Sequence, residues 1–99
     1  MNTTMTTLAP RLFNPGQTVM TPGAIDAIAK AEQHPGDFLS RHLRGDWGEL
    51  CEEDKQCNQE ALAEDLRLLS AYRTTEGTKL WIITEADRSV TTILLPEEY

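Results

Sequence analysis

Ninety-nine residues, 39% of them apolar and 25% charged, describe one small globular domain. They exclude a disordered chain, and no apolar run approaches the ~20 residues that span a bilayer. The formal charge of −7 argues against direct nucleic-acid binding, because a phosphate backbone is repelled by an acidic face. That charge is local. Residues 45–65 hold Asp46, Glu49, Glu52, Glu53, Asp54, Glu60, Glu64 and Asp65 against Lys55 alone, whereas the rest of the chain has eight acids and eight bases.

Residues 1–17 carry Pro10, Pro15 and Gly16 with few apolar anchors, and read as an irregular N-terminal arm. The arm lacks the basic and apolar regions of a signal peptide, so a cytoplasmic protein is expected. A single domain then occupies residues 18–99. Thr21-Pro22 is a helix start, a hydroxyl cap followed by proline at the first helical position. Ile25, Ile28 and Ala29 supply an apolar stripe that ends near His34-Pro35. A second short helix follows from Pro35 to Leu43, buried through Phe38, Leu39 and His42 or Leu43, and Gly45 stops it.

Asp46-Trp47-Gly48-Glu49 reads as a capping box that opens a third helix running to about Asp65. Leu50, Cys57, Ala61 and Leu62 make its thin apolar stripe. From Leu66 the period changes to two, with Leu66, Leu68, Ser70 and Tyr72 on one face. Two further β-rich runs, around residues 79–84 and 90–95, follow after short turns. The expected fold class is α+β, with N-terminal helices packed on a C-terminal three-stranded antiparallel β-meander.

Three groups of residues are functional candidates. Around Gly45 and Gly48 cluster Arg41, His42, Arg44, Asp46 and Trp47. As a loop site this would use His42 as acid or base, Asp46 to orient it, and Arg41 or Arg44 to bind an anion. As structure, Asp46 caps a helix, Trp47 fills the core and the arginines pair with acids. In the acidic stretch, Glu49, Glu53, Glu60 and Glu64 are spaced by four, seven and four, which lines them along ~22 Å of one helix face. Such a row is a solvated surface, or it imitates a run of phosphates for a basic partner such as a DNA-processing or defence enzyme. Trp81 reads as sheet packing rather than a stacking platform, and the terminal Tyr99 as a tail able to dock on the sheet. Cys51 and Cys57, six apart, fit neither a disulfide across a helix nor a zinc ligand pair, and read as two reduced thiols partly packed against the core. No metal and no cofactor is expected.

The segments HLRGDWGELCEE (residues 42–53) and WIITEADRSVTTILLPEEY (residues 81–99) resemble a family of small plasmid-related, integrative-element proteins often labelled type I restriction endonuclease subunit M. The resemblance spans residues 18–99. It implies the setting of mobile DNA, where anti-defence proteins, antitoxins and regulators occur; it implies no catalytic residues. A methylating subunit needs a glycine-rich turn after its first strand, which this chain lacks. The leading expectation is therefore a non-enzymatic interaction module that meets a basic protein through Glu49, Glu53, Glu60 and Glu64. Its alternatives are a small enzyme or ligand-binding domain around His42 and Asp46, and a homodimer joined by a sheet edge or an exposed Trp.

Overall fold

The computed structural model describes residues 11–99. In chain order it contains β1 (Gln17–Met20), α1 (Pro22–Lys30), α2 (Pro35–Leu43), α3 (Glu52–Glu64), β2 (Leu68–Arg73), β3 (Lys79–Thr84) and β4 (Val90–Leu94), then a short 3-10 turn, Pro96–Glu98. The class is α+β. The sheet differs from the expected three-stranded one: it has four strands in the order β1-β4-β3-β2. The pairs β2–β3 and β3–β4 are antiparallel, and β1 lies parallel to β4. Gln17–Met20 thus form an edge strand that starts at the last residue of the expected irregular arm and has no counterpart in the expected domain. No local pattern marks these residues, because each one's partner lies 73 residues downstream. Most of the arm, residues 1–10, lies outside the described residues.

The strand registers put Leu68, Ser70, Tyr72, Leu80, Ile82, Thr84, Thr91 and Ile93 on one face, and all are fully buried or nearly so. The helices cover that face. Ala24, Ala27 and Ile28 of α1 and Phe38 of α2 pack on Tyr72, Leu80, Ile82 and Ile93, while Trp47 and Ala61 pack on Leu68. The buried stripe of α1 is rotated from the expected one, leaving Ile25 53% exposed. Small Ala24 and Ala27 face the sheet instead. Thr21 caps α1 as expected, accepting from the Ala24 amide at 3.3 Å, with Pro22 at the first turn. Glu98 ties the chain's end to the same cap, accepting from the Gly23 amide at 3.0 Å, the Leu95 amide at 2.9 Å and the Thr21 hydroxyl.

The third helix begins five residues later than the capping box predicts, at Glu52 with Cys51 as its N-cap. Asp46 Oδ1 accepts from the Gly48 amide at 3.2 Å in a local turn, and Gly48 has φ +77, outside any right-handed helix. The segment then runs beside β2: the Glu49 amide donates to the Ala71 carbonyl at 2.7 Å, and the Ala71 amide to the Trp47 carbonyl at 3.1 Å. A Cβ on Gly48 would lie 1.9 Å from the Ala71 oxygen. Glycine is thus required twice, by conformation and by space.

Only Asn58 and Ala61 of α3 are buried. Asn58 meets the backbone of Leu69 as a strand would, donating to its carbonyl at 2.6 Å and accepting from its amide at 3.2 Å. The outer edge of β2 is thereby closed by an amide side chain and the Trp47–Glu49 backbone. At the other end, Asp65 turns the chain in the left-handed region (φ 54). Arg88, from the β3–β4 turn, donates to the Ala61 carbonyl at 3.1 Å and the Leu66 carbonyl at 2.6 Å. A cation therefore sits where the helix dipole is negative. Gly48→Ala is expected to lower unfolding free energy by about 2 kcal/mol or more, since β2 must shift to admit the methyl. Urea denaturation measures this, and a loss within ~0.5 kcal/mol would show the turn to be adaptable.

Candidate functional site

His42 is not on an accessible loop. It lies in the last turn of α2, fully buried, within a chain of buried polar side chains. Its Nδ1 is 2.6 Å from Ser70 Oγ and its Nε2 2.9 Å from Thr84 Oγ1. Thr84 Oγ1 is 2.7 Å from Thr91 Oγ1, which donates to the Pro15 carbonyl at 2.7 Å. That carbonyl can only accept, so it sets the direction of every bond. Thr91 spends its proton on Pro15, and Thr84 must donate to Thr91. Thr84 therefore accepts from His42 Nε2–H, which leaves Nδ1 to accept from the Ser70 hydroxyl. The imidazole is neutral, protonated at Nε2, with both nitrogens satisfied.

A serine hydroxyl aimed at an imidazole nitrogen is also how a base activates a nucleophile. Here Ser70, Thr84 and Thr91 are as inaccessible as His42, so no substrate reaches the pair. Burial, with a smaller contribution from the nearby Arg88 cation, pushes the His42 pKa down to about 3. The sequence signal for these hydroxyls is the strand alternation itself, which puts Ser70 between Leu68 and Tyr72 on the inward face.

The other members of the expected loop site hold structural positions. Arg41 Nε donates to Asp46 Oδ2 at 2.7 Å, and its guanidinium lies 4.5 Å from the centre of the Tyr72 ring. That hydrogen bond chiefly holds the Asp46 carboxyl below its ordinary pKa. Tyr72 Oη donates to the Asp46 carbonyl at 2.5 Å. Trp47 is buried edge-on to the His42 ring at 5.8 Å, and its Nε1 has no hydrogen-bond partner among the described residues. Arg44 is exposed at the C-cap of α2. Asp46 does not touch His42: it is spent on Arg41 and Gly48, and Arg41 in turn is held by Asp46 rather than open to an anion.

The carboxylate row is shorter than its spacing implies. Glu49 precedes α3 and pairs with Arg73 at 3.0 Å; it does not share a helix face with the others. Glu53, Glu60 and Glu64 do lie on α3, exposed, spanning ~16 Å along its axis. Among the described residues no cation pairs with these three, and the helix's own pair is Lys55 with Glu52 at 3.7 Å. Cys51 and Cys57 are free and exposed, not packed against the core. No group of three or more His, Cys, Asp or Glu among the described residues is arranged to hold a metal ion.

The sheet's second face carries a shallow apolar groove of about 280 Å³ lined by Arg67, Leu68, Leu69, Trp81, Ile83 and Tyr99. Trp81 forms its half-buried floor, as the reading of a packed sheet residue expects. Tyr99 docks edge-on to it at 5.8 Å, and Arg67 donates to the Tyr99 hydroxyl at 2.8 Å.

The His42 chain predicts a pH dependence. The folded pKa lies below the unfolded value of ~6.5, so the unfolded chain binds the extra proton between them. Stability is whole above pH ~6.5 and falls as pH drops towards 3, by up to ~1.4 kcal/mol per pH unit. Between pH 6.5 and 5, where carboxylates stay ionised, His42→Gln should flatten this slope in urea titrations. An unchanged slope would mean that His42 is not the titrating group. Compared with protein-family models, with curated proteins and with solved structures, the chain returns no match in any of the three.

Proposed function

We propose that this chain is a non-enzymatic interaction module that engages a basic protein surface through α3. The observation that carries the reading is the way α3 is held. Two buried residues and Arg88 attach it, while Glu53, Asp54, Glu60, Glu64 and Asp65 stand exposed. Glu60 and Glu64 lie in the last turns, where the helix dipole disfavours a carboxylate by a few tenths of a kcal/mol each. Their mutual spacing adds like-charge repulsion of similar size. A surface built only for solubility could put these acids in the first turn at no cost. Acids kept where they destabilise are better explained by what they meet.

The resemblance to small proteins of mobile DNA supports one concrete form of this reading: relief of restriction by occupying the DNA channel of a type I enzyme. Three carboxylates over ~16 Å match the reach of a short phosphate run. The burial of His42, Ser70 and Thr84 and the Arg41–Asp46 pairing weigh against an enzyme at that place.

Two measurements test the proposal together. Unmodified phage should plate at least tenfold better on a restricting host that expresses the protein, and the protein should retain a purified type I enzyme at low salt. The combined change Glu53→Gln, Glu60→Gln and Glu64→Gln is expected to abolish both effects while the thermal transition rises slightly, because two destabilising acids are neutralised. Glu49→Gln, outside the row, should leave both intact. Retention by the triple variant equal to wild type would remove α3 from the interface. No relief and no retention would remove the restriction form of the proposal.

A further inference from the structure

The two edges of the sheet are treated differently. The β2 edge is closed by Asn58 and by the Trp47–Glu49 backbone; the β1 edge is open among the described residues. In β1 the Gln17 amide donates to the Ser89 carbonyl at 3.0 Å, and just beyond the strand the Thr21 amide donates to the Ile93 carbonyl at 3.0 Å. Parallel strands bond through alternate residues, so Val19 also faces β4, and the N–H and C=O groups of Thr18 and Met20 point away from the sheet. Among the described residues these four groups have no backbone partner.

Nothing among the described residues guards this edge. Open edges usually carry a charge, a bulge or a proline within the strand, but Leu12 to Ile25 contains no charged residue in a chain of net charge −7. The strand itself presents an exposed apolar side chain, Val19 (37%).

The geometry points to a second copy of this chain as the occupant of the β1 edge, the two β1 strands pairing antiparallel about a two-fold axis through Val19. Thr18 of each copy then faces Met20 of the other, and both members of each pair have outward backbone groups, so four hydrogen bonds form. Val19 meets its own counterpart at a non-hydrogen-bonded position, where side chains approach most closely. A partner of opposite charge gains nothing at an uncharged strand. An identical acidic chain, in contrast, finds here a place to approach where its own charge repels least. The product is a continuous eight-stranded sheet. Its two β2 edges, each beside an α3 helix, lie ~34 Å apart, seven strand spacings of ~4.8 Å. This inference is independent of what α3 binds.

The interface is small, so sedimentation equilibrium should be run to ~1 mM, the weak end of specific association. The expected result is a rise towards twice the chain mass, stronger at high salt, where repulsion between acidic copies is screened. Thr18→Pro removes an outward N–H without touching a β4-facing one, and Val19→Lys sets like charges face to face; each should weaken the dimer at least tenfold. Register is read by cross-linking. In a Cys51→Ser, Cys57→Ser background treated with oxidised glutathione, Val19→Cys should form a disulfide dimer and Gln17→Cys should not, since two copies of residue 17 lie ~13 Å apart along the strands. A monomer at every concentration, a dimer indifferent to both edge variants, or equal cross-linking at positions 17 and 19 would each overturn the inference.

Discussion

One chain of buried hydrogen bonds joins α2 to three strands of the sheet and to the segment that leads into the fourth. From Ser70 in β2 it passes through His42 in α2, Thr84 in β3 and Thr91 in β4 to the carbonyl of Pro15, just before β1. Each bond contributes only ~1 kcal/mol net, but a broken one leaves a buried polar group costing ~1–3 kcal/mol. The network therefore acts less as glue than as a constraint on arrangement. A slip of one residue in β2 or β3 would turn a hydroxyl to the other face and leave an imidazole nitrogen unpaired, and a slip of β4 would leave Thr84 without Thr91. The parallel placement of β1 follows from the same constraint, since Thr91 holds Pro15 against the β4 strand.

Around this constraint the molecule divides its labour by side. The helix-covered face of the sheet is closed and contains the groups most suggestive of chemistry, with no route to them. Among the described residues the exposed features include acidic α3 beyond the β2 edge, the unpaired β1 edge, and the groove where Tyr99 rests on Trp81. Arg88 links the two regions: it binds the last carbonyls of α3 and stands 5.7 Å from the centre of the Phe13 ring, and its charge helps keep His42 neutral. The acids of α3 are thus carried by a helix whose end is fixed by a residue from the β3–β4 turn.

Where sequence patterns and structure diverge, a long-range contact has overridden a local preference. Asp46 to Glu49 satisfies the pattern of a capping box, yet the Gly48 amide is taken by Asp46 and the flanking backbone by Ala71. Two sheet hydrogen bonds on a closed edge outweigh an earlier helix start. Glu49 leaves the carboxylate row for the same reason, drawn to Arg73 beside β2. Asn58, unremarkable among the polar residues of α3, proves to be the side chain that seats the helix. An amide carries both a donor and an acceptor, and the edge of a strand offers both.

The sequence by itself determined what depends on near neighbours. The α+β class, the Thr21-Pro22 helix start, the two short turns between the last three strands and the confinement of charge to residues 45–65 are all set by periodicity, capping chemistry or composition. Tertiary structure decided what depends on partners far along the chain. It made Gln17 to Met20 a strand, turned His42 from a candidate acid–base into a buried tie, and reduced four aligned carboxylates to three. A residue's type and spacing define which bonds it can make; only the packed fold determines which of those partners arrives and whether water is left beside it.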